Sequence, residues 1–236
     1  MHHVLLDQWS QQASPLHARD PRAKIIALGV FLVVLATTRP DAVLTIGLYA
    51  ALLLAGILIA GLPVGGLLFR AAAILPFSLT FGVISWVAGD RLRAIGLVEK
   101  SYLSTVAVLL TVGTTALPAL LSGLEALGTP RLLVLVAQFL YRYLFVISEQ
   151  AQHTRLAAAC RHGKSRNHGR VRFRAAAGAL AMLFARSYFR AEGIHRAMMA
   201  RGFAGGFKPL KPLRFRAADG LFTLALSGLL ILVRIP

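Results

Sequence analysis

One cysteine, nine acidic residues and a charged fraction of only 15% in 236 residues set the first limits on this chain. Cys160 alone can form no intrachain disulfide and no cysteine zinc site. The acids (Asp7, Asp20, Asp41, Asp90, Glu99, Glu125, Glu149, Glu192 and Asp219) are scattered, and none makes a close pair at a spacing suited to acid–base chemistry. No catalytic residue is therefore assigned. There is no phosphate-cradling Gly-x-x-x-x-Gly-Lys-Ser/Thr loop, so the chain is not expected to hydrolyse nucleotide itself. No Asp, Glu, His or Lys stands deep within an apolar run, where it would mark an ion pathway. That absence counts against a self-contained secondary transporter or channel, which carries polar groups or broken helices at mid-membrane. Only Pro76 disturbs a span. Residues 1–24 lack the apolar core of a cleavable signal peptide.

What is present in excess is apolar surface and positive charge. The chain is 57% hydrophobic with a mean hydropathy of +0.68, whereas soluble domains hold about 45–50% apolar and about 25% charged residues. The excess falls in runs approaching the roughly 20 residues that cross about 30 Å of hydrocarbon. The expected class is all-α, a polytopic membrane protein with about five transmembrane helices. Lys and Arg number 26, giving a net charge of +17 and a pI near 11.5. In so apolar a chain that excess reads as the retention of cations beside anionic lipid on the cytoplasmic side. It does not read as a nucleic-acid surface.

The expected order is a leader over 1–24, a transmembrane bundle of about four spans over 25–118, basic helices over 119–218 and a C-terminal span over 219–236. Within the bundle the apolar runs are Ile25–Thr38, Ala42–Ala60, Ala71–Ala88 (kinked at Pro76) and Tyr102–Leu117. Arg39-Pro40-Asp41 makes a tight hairpin, because Pro40 cannot donate to a continuing helix, and residues 89–101 form a polar connection. From Pro118 to Arg216 no window stays uncharged for a full crossing. Arg131 to about His162 forms one long helix, and residues 161–216 hold fourteen Lys or Arg against Glu192 alone. A final run, Leu221–Val233, spans again. The positive-inside rule puts the basic stretch and the N-terminus in the cytoplasm.

Two basic segments stand out: Ala157-Ala158-Ala159-Cys160-Arg161-His162-Gly163 and Met198-Met199-Ala200-Arg201-Gly202-Phe203. Each sets an arginine at a helix end just before a glycine. Simple capping explains this, with Gly stopping the helix and a cation favouring its dipole. The alternative is that both arginines protrude to dock on acidic partner grooves, a guanidinium being a planar fork of donors.

Together with Leu16-His17-Ala18-Arg19-Asp20-Pro21-Arg22-Ala23-Lys24, Leu127-Gly128-Thr129-Pro130, Arg142-Tyr143 and Glu149, these signatures resemble the transmembrane T component of energy-coupling factor (ECF) transporters. The CbiQ type of cobalt and nickel importers is the nearest in character, and the likeness covers nearly the whole chain. Ala200-Arg201-Gly202 is the intact signature, whereas His162 intervenes between Arg161 and Gly163. The resemblance implies two crossing cytoplasmic helices whose arginines insert into two ATP-binding-cassette subunits. It also implies a separate metal-binding membrane subunit, residence in the bacterial inner membrane, and no cofactor in this chain. Met1-His2-His3 and the dispersed His153, His162, His168 and His195 are assigned no metal site, since metal selection belongs to that other subunit. The rival readings are a membrane anchor with a lipid- or nucleic-acid-binding basic region, and the secondary transporter.

Overall fold

The computed structural model describes residues 14–39, 42–162, 169–206 and 215–234, with the side chains of 43, 161, 162 and 170–172 outside that description. Among these residues the elements are α1 (Pro21–Thr37), α2 (Val43–Ala60), α3 (Val64–Ala71), α4 (Leu75–Val87), α5 (Arg91–Gly113), α6 (Leu117–Ala126), α7 (Arg131–His162), α8 (Gly169–Ala200) and α9 (Ala217–Arg234). A 3-10 turn, Ala72–Ile74, joins α3 to α4. No strand occurs among the described residues, so the protein is all-α as its composition requires. Two compact units form: one runs to Thr129 and resumes at Lys211, and the other is Pro130–Leu210.

The first unit is a bundle of α1 to α6 with α9. Its helices begin and end on local chemistry. Asp20 caps α1 by accepting from the Arg22 amide at 2.9 Å, with Pro21 in the first turn, where its missing N–H costs nothing. Gly61 ends α2 at φ +70, and the Gly61 and Leu62 amides donate back to Leu58 O and Ile57 O at 3.1 and 3.2 Å, a Schellman cap. Pro76 starts α4, and its ring is incompatible with a regular bond to the carbonyl four residues back; the 3-10 turn absorbs the conflict just ahead of it.

At the centre, Tyr49, Leu35, Ile57, Leu67 and Leu230 are fully buried. Phe31 meets Tyr49 edge-to-face at 5.9 Å, and the Tyr49 hydroxyl donates to Leu230 O at 3.4 Å, joining α2 to α9. Close approach elsewhere needs small residues: a Cβ on Gly82 would lie 3.1 Å from Val98 Cγ2, so α4 lies tight against α5. The outward faces are apolar and bare, as a bilayer solvent demands. Phe77, Val83, Ile84 and Val87 on α4 are more than half exposed.

Two expectations need correction. The third span starts at Val64, not Ala71, because Arg70 sits inside a helix that runs on through the 3-10 turn. The connection expected over 89–101 is helical from Arg91, so that α5 has 23 residues. Its charges are placed to be useful: Asp90 pairs with Arg93 at 3.1 Å, Arg91 lies 5.2 Å from the Trp86 ring, and Lys100 donates to the carbonyls of Ala36 in the last turn of α1 and of Thr38 just past it. By length and composition alone, Arg131–Cys160 stands with Val64–Val87, Arg91–Gly113 and Ala217–Arg234 among the helices long and apolar enough to cross a membrane. Arg131 and Arg142 are its only charges before Glu149, and long arginine stems reach from apolar surroundings to water. Leu44–Ala60 of α2 is a shorter apolar helix, and the hairpin tip at Pro40-Asp41 lies outside the described residues.

The second unit is the α7–α8 pair. Residues 136–147 share one groove with 187–198, and residues 146–158 share another with 179–190. The helices are therefore antiparallel. Little is buried: Leu132, Leu140, Phe173, Leu180 and Phe184 are each more than 60% exposed.

Candidate coupling site

At the end of α8 the chain makes a complete Schellman cap. Gly202 takes φ +74, its amide donates to Met199 O at 3.0 Å, and the Phe203 amide donates to Met198 O at 3.0 Å. A left-handed residue with a Cβ costs roughly 1–2 kcal/mol, so glycine belongs here. Arg201 is the cap residue, and its amide donates to Met198 O at 3.1 Å. All of these bonds use main-chain groups. The guanidinium has no part in the cap, is exposed, and has no ion pair among the described residues. Ala200 and Gly202 beside it are exposed as well, so bulk would not shield the arginine from an approaching surface.

Capping is thus real, and among the described residues the arginine side chain has no part in it. The first signature lies at the end of α7, which runs through Arg161 to His162; the Arg161 side chain and Gly163 are outside the described residues. Because the helices are antiparallel, the two signatures lie at opposite ends of the pair.

Between them lie two grooves of different character. One, of about 490 Å³, is apolar, lined by Val136, Phe139, Leu140, Leu144, Ile194 and Met198 among others. The other, of about 660 Å³, sets Glu149 and His153, 3.9 Å apart, opposite Arg186 and Arg190. Glu192 pairs with Arg196 along α8. Among the described residues no three His, Cys, Asp or Glu side chains gather as metal ligands would.

A further set of residues escaped the sequence reading. Lys24 of α1 is buried, and its Nζ donates to Thr114 O at 2.9 Å and Thr115 Oγ1 at 2.8 Å. Asp219, also buried, accepts from the Arg216 amide at 3.1 Å and the Asp20 amide at 3.4 Å, with Arg19 at 3.8 Å. The available signal was Asp20-Pro21-Arg22-Ala23-Lys24, which opens a helix instead of closing a leader.

In sequence the chain is similar to known proteins. The chain is 29% identical over 229 residues to the energy-coupling factor transporter transmembrane protein EcfT of Bacillus selenitireducens, an alignment covering 86% of this chain and 85% of that protein. The CbiQ cobalt transport protein family matches residues 12–213, which takes in most of the bundle and the whole α7–α8 pair with both signatures. A match over most of the chain makes it a member of the CbiQ cobalt transport protein family.

Proposed function

We propose that this chain is the non-catalytic coupling subunit of an ATP-driven importer of the energy-coupling factor type. In this reading Ala200-Arg201-Gly202 and Arg161 with Gly163 dock on two ATP-binding-cassette subunits, which carry out all ATP hydrolysis. The α7–α8 pair passes their movement to a separate substrate-binding membrane subunit for cobalt or nickel, and this chain holds no cofactor and no metal. The pair faces the cytoplasm, where nucleotide is available and where its basic residues are retained.

The observation that carries the reading is Arg201. Its guanidinium stands free at a helix end whose cap does not use it. An exposed guanidinium at a helix terminus is suited to bidentate recognition of carboxylate. Signatures at opposite ends of the pair suit two docking positions on two subunits better than one shared position. The bare apolar groove beside Leu140 supplies surface for the membrane subunit.

Reversing the charge tests this directly. Arg201→Glu is expected to abolish co-purification of the ATPase subunits, because a docked carboxylate would then face a carboxylate; a role confined to lipid binding would leave co-purification nearly unchanged. Uptake of Co²⁺ or Ni²⁺ into liposomes by this chain alone, without ATP or partners, would overturn the proposal.

A further inference from the structure

Asp20, Lys24 and Asp219 are the buried charged residues among those described, and all three sit at one end of the bundle. There the first turns of α1 and α9 meet the last residues of α5. Lys24 bonds the α5 terminus through Thr114 O and Thr115 Oγ1, both on buried residues, and its charge meets the negative end of that helix dipole. Asp219 ties α9 to α1 through the Asp20 amide and Arg19, while Asp20 caps α1 itself.

In chain order, the elements at this end precede and follow the second unit among the described residues. Thr114 and Thr115 lead through α6 into α7, and α9 is the first helix after α8. Apolar contacts alone would hold three helices together, and burying charge is costly. What buried, hydrogen-bonded charges add is a single allowed arrangement, since any slip leaves a charge unsatisfied.

We propose that Lys24 and Asp219 are positioning residues of coupling: they fasten the roots of the α7–α8 pair to α1, so that displacement of the pair reaches the bundle as one movement. The inference rests on the coupling reading above and adds to it the place where motion enters the membrane part.

The test uses the full complex with its ATPase subunits and substrate-binding subunit. Cys160 is replaced by Ser, and spin labels are placed at Leu58 and Leu180, which are 68% and 66% exposed. In the wild type the label distance is expected to be narrowly distributed and to shift as a whole between the ADP and ATP states. Lys24→Met and Asp219→Asn are expected to retain the ATPase subunits and their hydrolysis within about twofold, yet to widen the distribution at least twofold and lose the shift. Lys24→Arg, which keeps the charge and the donors, is expected to restore it. Wild-type width and shift in both variants would overturn the inference, as would widening that Lys24→Arg fails to reverse. If Lys24→Met does not assemble, Thr115→Val decides, because it removes one acceptor and no charge: widening supports the inference, and a wild-type distribution overturns it. A wild-type complex with no nucleotide-dependent shift would instead contradict the coupling reading itself.

Discussion

The two units spend their apolar residues in opposite ways. The bundle buries Tyr49, Leu35, Ile57, Leu67 and Leu230 in its own interior, while Val134 is the one buried hydrophobic of the α7–α8 pair among the described residues. The bundle's buried charges, Asp20, Lys24 and Asp219, find their partners within it. The pair instead displays Arg142, Arg186, Arg190, Arg196 and Arg201 beside bare leucines and phenylalanines. A helix pair with so little interior cannot be held rigid by its own packing, since most helix stability comes from burying a face. The pair leaves its apolar faces uncovered among the described residues, whereas the bundle covers its own. Substitutions should therefore separate cleanly into those that unfold and those that disconnect.

The largest expected effect lies in the bundle. Tyr49→Ala empties the contact with Phe31 and the link to Leu230, and a cavity of that size costs about 3–5 kcal/mol. Thermal unfolding in detergent should register the loss, while ATPase binding per folded molecule should stay at the wild-type level. Binding lost in proportion to stability would blur the division between the units.

Next is Gly123→Leu. A Cβ there would lie 3.1 Å from both Pro21 Cβ and Ile25 Cδ1, so α6 must move off α1 at a cost of about 1–3 kcal/mol. A lowered midpoint measured in the same way checks it.

Gly202→Val sharpens the comparison from the other side. Forcing a β-branched residue to φ +74 costs roughly 1–2 kcal/mol, which the chain can escape by unwinding the end of α8. The bundle's melting should not change, but ATPase association should weaken about tenfold, as read by titration of the purified subunits. A fall in melting temperature without a change in association would reverse the assignment.

Much of this division could be read from residues alone. Long apolar runs marked the spans, and the density of arginine after residue 161 marked the second unit. The Gly202 cap followed from Arg201-Gly202 at the end of a periodic segment. What escaped did so for physical reasons. Arg70 and the charges of 91–100 resemble breaks because a hydropathy reading cannot know which charges snorkel, pair or cap; in the fold, Lys100 serves carbonyls at the end of α1 and Asp90 pairs with Arg93. Lys24 and Asp219 were invisible as a cluster, since α1 and α9 meet only in three dimensions.

In the proposed coupling, ATPase partners meet the ends of the α7–α8 pair and not the bundle. A photoreactive label distinguishes the two when placed, in a Cys160→Ser background, at Ala204 beside the α8 cap and separately at Arg93, an exposed position on the first turn of α5. Adducts with the ATPase subunits are expected from position 204 and none from position 93. Adducts from position 93, with none from 204, would contradict it.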